Sequence, residues 1–530
     1  MRRIDAKALH ALLRQPGEIA LLDVREEGAF SRDHISLAVP MPLSRIEFRM
    51  PDLVPRRDTP VVLVDGGPRD KGLAALAAGR LAEMGWRDVW ELTGGMAGWR
   101  AEGLECFSGV NVPSKAFGEF VEHHYDTPRI EAQDLARMQA DGADLVVLDS
   151  RPMAEFNRMS IPGGVDCPGA ELAFRAGLMA PDPTTTIVVN CAGRTRSIIG
   201  AQSLINAGLP NRIMALKNGT MGWELSGLTC ARGETEHAPA PEGPALQAAM
   251  DRAAAVARRF GVRRTDAATV AGWLTAAGRT TFLLDVRTVE EYRAGHWPGA
   301  RHAPGGQLVQ ATDEYVGVRG ARIVLADGPD AVRATMTASW LIQMGWSDVH
   351  VLAEQPDAPE TGDRVAVPEL FEPFETLSPF ECQAVLDSGE PAVLVDLADS
   401  LTFRRGHIPG AWFAIRSRLS HEILKLAHAG LVLLTSPDAL LAHYAAHDLR
   451  RARPDLVIRV LEGGTDAWRT AGLPLESGID NAISATDDVW WKPYDHAGGV
   501  HQAMEDYLTW EVGLVEQVRR DGLMDFRRFD

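Results

Sequence analysis

The 530-residue sequence is short of cysteine, of tyrosine and of positive charge, and it holds no long hydrophobic run. Five cysteines (Cys106, Cys167, Cys191, Cys230 and Cys382) cannot build a disulfide framework in so long a chain. That excludes the small stapled secreted class and fits a reducing cytoplasm, with most of the thiols structural. Lys and Arg number 54 against 72 Asp and Glu, a net charge of −18. A chain this acidic is unsuited to tracking nucleic-acid phosphates or anionic membrane surfaces. No run of ~18 or more apolar residues is present to span a bilayer. Met1 to Lys7 is basic, but it continues into polar residues where a secretion signal needs an apolar stretch. A content of 45% hydrophobic and 24% charged residues describes an ordinary globular chain. At ~150 residues per domain the length asks for roughly three to four units.

What is present is one unit written four times. A Leu- and Val-rich strand ending in Asp recurs as Leu21-Leu22-Asp23, Val147-Leu148-Asp149, Leu283-Leu284-Asp285 and Leu394-Val395-Asp396. A short helical stretch with an aromatic follows each (Phe30, Phe156, Tyr292, Phe403). Three units then carry a Pro-Gly turn: Ser160-Ile161-Pro162-Gly163, His296-Trp297-Pro298-Gly299 and His407-Ile408-Pro409-Gly410. A second apolar strand closes on Asp65, Cys191 or Asp327, each 42 positions after its Asp, and on Ser436 after 40. Three units end in a Gly-to-Trp segment, with Trp99, Trp223 and Trp468 as packing anchors; the third reads Leu352-Ala353-Glu354-Gln355-Pro356 instead. Strands alternating with helices predict right-handed crossovers and small parallel sheets covered by helices on both faces, an α/β class. The unit boundaries fall at 1–108, 126–232, 263–357 and 374–476. A linker and helix occupy 233–262, and a tail with a helix near 500–519 occupies 477–530. The polar stretch from Pro356 to Pro373 reads as a further connection.

In the second unit the strand closes on a cysteine: Asn190-Cys191-Ala192-Gly193-Arg194-Thr195-Arg196-Ser197. A strand-to-helix turn sets the sulfur at a helix N-terminus, where backbone N–H groups and the helix dipole favour an anion. Arg194 and Arg196 add two permanent cations, so every influence favours thiolate over thiol. The other units place Asp65, Asp327 and Ser436 there, with Asp70, Val332 and Leu441 five residues on. Asp and Ser oxygens accept orphan helix N–H bonds, so these loops are expected to fill their own cradles and to serve as scaffold or docking units.

Asp-x-Arg, a His/Ser-x-Pro-Gly turn, Cys-x4-Arg-Ser and a Gly-to-Trp close together resemble the rhodanese sulfurtransferases, over about residues 4–476. The resemblance implies four tandem rhodanese-like modules and transfer of sulfane sulfur from thiosulfate or a persulfide through a Cys191 persulfide. Cyanide, glutathione or a protein thiol would collect it, a two-step covalent cycle. By the same resemblance Ala192, Gly193, Thr195 and Ser197 cradle the persulfide with Arg196, while Arg194 enters on charge alone. No metal or organic cofactor is implied. Related phosphatases and arsenate reductases carry Cys-x5-Arg, one residue longer, and remain an alternative enzyme class. A non-enzymatic scaffold is a third reading, since three of the four units lack the nucleophile.

The Asp-x-Arg pairs recur in units without the cysteine and therefore read as fold-holding. Cys167 follows the Pro-Gly turn, so a relay thiol and a structural one are both open, with structure favoured. His123, His124, His496 and His501 show no metal-ligand spacing. The aromatic run Trp490 to His496 is expected to cover a module or a second subunit of a homo-oligomer.

Overall fold

The alternation of short apolar strands with amphipathic helices yields four parallel five-stranded sheets in the computed structural model. It describes residues 2–70, 72–364, 373–389, 391–426, 430–496 and 498–529. Residues 365–372, within the connection expected after Pro356, lie outside the described residues. Across every sheet the strands run first, fifth, fourth, second, third in chain order. In the second unit these are Arg129–Ile130, Ile213–Leu216, Thr186–Asn190, Leu145–Asp149 and Gly164–Asp166. The short edge strands that open each unit were not read from the sequence. The connection direction reverses between the fourth and second strands, which leaves a crevice over their carboxyl ends. Cys191 leaves one of those ends and Asp149 closes the other.

Where they occur, the recurring residues hold the units together in the same way. Arg151 forks onto Asp149 at 2.8 and 2.7 Å and donates to the Met159 carbonyl, tying the strand end to the following helix. Arg25 and Arg287 form the same fork on Asp23 and Asp285. His34, His296 and His407 stack on Phe30, Tyr292 and Phe403 at 3.7–3.9 Å, each with Nδ1 against that residue's carbonyl. Trp99, Trp223 and Trp468 are buried, and each indole donates to a carbonyl six residues on.

Units one and three share a continuous apolar cluster from Leu22, Leu63 and Trp86 to Leu284, Leu325 and Leu341. Unit two meets unit three through Trp340, whose indole donates to Ser203 at 2.7 Å, and through Arg333 on Glu171. Unit four meets unit one through Arg416 on Glu47. The linker helix spans Gly243–Phe260 and the tail helix Val500–Asp521. A further helix, Val112–Tyr125, connects units one and two in the interval left unassigned by the sequence. No helix of the described residues is long and apolar enough to cross a membrane.

Candidate active site

The Cys191 loop links the buried strand Thr186–Asn190 to the helix Thr195–Asn206. The carbonyls of Cys191 and Ala192 accept the N–H groups of Thr220 and Met221 at 2.9 and 3.0 Å, which turns them toward the closing helix Gly219–Leu225. This contact explains the Gly-to-Trp close. Gly219 has φ +56°, and a Cβ on it would lie 2.2 Å from the Cys191 carbonyl oxygen. Units one and four repeat the tie, with Met96 N–H on the Asp65 carbonyl and Thr465 N–H on the Ser436 carbonyl.

Cys191 is only 2% exposed, yet it lines a cavity of about 290 Å³. Its thiol faces the Ser197 hydroxyl at 3.4 Å, and that hydroxyl donates to the Arg194 carbonyl. Arg196 lines the cavity and is forked onto Glu155 at 3.1 and 2.8 Å. Burial pushes the Glu155 carboxyl up, but the Arg196 charge and hydrogen bonds outweigh it and hold the group down at about 2. Arg194 sits differently. Its guanidinium forks onto the fully buried Glu119 at 2.6 and 2.8 Å and also meets Glu122, both on the Val112–Tyr125 helix. Arg194 thus clamps the connecting helix to the loop.

The rest of the wall comes from outside unit two. Glu27 and Asn111 line it from unit one and its exit, Gln307 and Glu314 from unit three, and Trp490, Tyr494, Tyr507 and Glu511 from the tail. The tail helix rests directly on the loop: a Cβ at Gly193 would stand 3.2 Å from both Glu511 and Tyr507. The aromatic tail segment therefore covers modules of its own chain. Lys115, on the connecting helix, also lines the cavity and contacts Tyr507 and Glu511. Sequence reasoning set the Trp490 to His496 run against a module or a second subunit but missed the other wall residues, because a parallel-sheet motif says nothing of which distant segments close its crevice. A lysine within an amphipathic helix, one turn before Glu119, carries no signal of its own.

In the other loops a side chain occupies the cradle. Asp65 accepts the N–H groups of Gly67 and Ala74 at 2.8 and 3.2 Å. Asp327 accepts those of Gly328 and Ala334 at 2.7 and 2.8 Å, and Arg333 adds a guanidinium bond at 3.0 Å. Ser436 accepts from Ala442 at 3.3 Å. The remaining thiols stand apart from this chemistry. Burial pushes Cys167 well above the ordinary range, Cys230 up to about 12 and Cys382 up to about 11. Cys167 belongs to the apolar core of unit two.

The family model described as the rhodanese-like domain matches residues 5–102, 131–226 and 267–354. The crystal structure of a thiosulfate sulfurtransferase from Pseudomonas aeruginosa is 45% identical to this chain, with a TM-score of 0.95 over 100% of both chains. A rhodanese-like domain from Anabaena is 24% identical, covering 21% of this chain and 83% of its own, with a TM-score of 0.18. An anaerobic ergothioneine biosynthesis enzyme from Chlorobium limicola is 16% identical over 68% of this chain and 99% of its own, with a TM-score of 0.24. No curated protein matches the sequence. Matched over more than half its length, and built from repeated sheets of one strand order, the chain belongs to the rhodanese-like family.

Proposed function

We propose that the chain is a cytoplasmic sulfurtransferase that works through Cys191 alone. The Cys191 thiolate attacks the sulfane sulfur of thiosulfate, the S–S bond of the donor breaks, and sulfite departs with the bonding pair. A persulfide donor would instead release its parent thiolate. Cyanide or a thiol then attacks the outer sulfur of the Cys191 persulfide, and the cysteine leaves as thiolate, ready for another cycle. The loop Ala192, Gly193, Arg194, Thr195, Arg196 and Ser197 surrounds the persulfide, and no cofactor takes part.

The observation that carries this reading is the contrast among four equivalent positions. Only in unit two is the cradle at the strand end left without a side-chain carboxylate or hydroxyl of its own, and there a cysteine opens on a cavity with Arg196 and Lys115. The full-length likeness to a thiosulfate sulfurtransferase supports the same chemistry. Intact mass spectrometry after thiosulfate treatment tests it. Wild type is expected to gain one sulfur atom, and Cys191→Ser none. Equal gain in both, or hydrolysis of an aryl phosphate with no thiocyanate formed, would defeat the proposal.

A further inference from the structure

Among the described residues, four cations line the cavity: Lys115, Arg194, Arg196 and Lys492. Arg194 is consumed by Glu119 and Glu122, and Arg196 meets Glu155 with both terminal nitrogens. Lys492 is half-buried. Lys115 differs from these. Its side chain is 4% exposed, its ammonium contacts the Tyr507 hydroxyl, and it lies 3.4 Å from Glu511 Oε1. That oxygen also accepts the Tyr507 hydroxyl at 2.9 Å and the Thr195 hydroxyl at 3.1 Å. An ammonium has three donors, and these contacts engage two of them. Lys115, Arg196 and Cys191 line the same cavity.

Burying a lysine is costly unless its charge is used or matched. Here three separate segments of chain cooperate to hold one: the connecting helix supplies Lys115, the catalytic loop Thr195, and the tail helix Tyr507 and Glu511. A donor whose sulfane sulfur meets Cys191 projects its oxyanion head away from the loop into the cavity. We infer that Lys115 is the group that receives the sulfonate oxygens of the donor, with Tyr507 and Glu511 as positioning residues that aim its ammonium. This inference rests on the sulfurtransferase reading and deepens it. The anionic-donor site is then assembled from outside the module that holds the nucleophile.

The test compares two donors: thiosulfate, and 2-hydroxyethyl persulfide, which has no sulfonate oxygens. In Lys115→Met the KM for thiosulfate should rise about tenfold to a hundredfold, the span of one lost hydrogen bond to a charged group, while kcat holds. The kcat/KM for the persulfide should fall much less than that for thiosulfate, so that the ratio between the two donors shifts about tenfold toward the persulfide. Lys115→Arg should recover much of the thiosulfate KM, and Tyr507→Phe and Glu511→Gln should each raise it less, with kcat preserved. An unchanged thiosulfate KM in Lys115→Met, or equal damage with both donors, would overturn the inference while leaving the Cys191 chemistry standing. Failure of wild type to take sulfur from either donor would overturn the underlying reading, and this inference with it.

Discussion

The side-chain amide of Gln355 donates to the backbone carbonyl of Asp327 at 2.9 Å, in the place where the other three units use a backbone N–H. Unit three has lost the Gly-to-Trp close, yet the carbonyl at its strand end still has a donor. An unpaired buried carbonyl is what the substitution avoids. Gln355 is itself exposed, so water can replace its amide, and Gln355→Ala should destabilise the protein by only about 0.5–1 kcal/mol. Denaturant melts would show the loss, and the rate of thiocyanate formation should be unchanged because Gln355 does not line the cavity.

Gly219 packs directly against the Cys191 loop. Its positive φ disfavours any side chain, and its missing Cβ leaves room for the Cys191 carbonyl. Gly219→Ala should cost about 2 kcal/mol or more and reduce sulfur transfer by more than the stability loss explains, since the loop must shift. Steady-state rates at a temperature where the variant is fully folded separate the two effects.

Restoring the cysteine elsewhere should not restore the chemistry. In unit three Arg333 stands six positions after Asp327 and is already held by Glu291 at 2.6 and 3.0 Å and by Glu171. In unit one no arginine follows at the matching place. Asp65→Cys and Asp327→Cys in the wild-type background should gain only the single sulfur atom of Cys191 on thiosulfate treatment. Two atoms gained in either variant would show that the cradle alone suffices.

The repeat made the fold legible. A strand ending in Asp, a stacked aromatic and histidine, and a closing Trp each hold one local contact, so each leaves a local signature. The Cys191 loop was legible for the same reason, and so were the filled loops at Asp65 and Asp327, whose side chains bond backbone within nine residues. The helix Val112–Tyr125 and the aim of the tail were not, because they are fixed by contacts spanning hundreds of residues, such as Lys115 with Glu511. Charge alone likewise could not separate the two loop arginines. Arg196 meets a carboxylate inside its own unit, whereas Arg194 meets Glu119 across a unit boundary.

Removing the Arg194 guanidinium strands Glu119, which is fully buried. Arg194→Met should cost about 3–5 kcal/mol, the usual consequence of leaving one member of a buried pair. Its pH dependence is also diagnostic. Burial pushes the Glu119 carboxyl up even with Arg194 drawing it down. A carboxyl raised in the folded state contributes stability that is present below the unfolded value of ~4.3 and is lost as pH rises through the folded value. Without Arg194 the carboxyl rises further, so the stability difference between wild type and variant should widen from acid to neutral pH. Urea melts at a series of pH values measure that slope. Arg194→Met/Glu119→Gln should recover part of the loss.

Unit four tests how far the module that carries Cys191 depends on its neighbours. Arg416, almost fully buried, forks onto Glu47 at 2.7 and 2.8 Å, reaches Asp448 at 2.8 Å, and donates to the Ser44 carbonyl at 3.1 Å. That network is the polar centre of the contact between units one and four. Its loss leaves Glu47 buried beside Arg80 alone, so Arg416→Met should destabilise by about 3–5 kcal/mol. None of the described residues of unit four lines the cavity around Cys191. The variant should therefore melt at lower temperature while keeping wild-type KM for thiosulfate and wild-type kcat below its transition. A raised KM would mean instead that unit four acts on the cavity through unit one, whose Glu27 forms part of the wall and lies one residue from Glu26, the carboxylate that accepts the Ser417 hydroxyl of unit four at 2.8 Å.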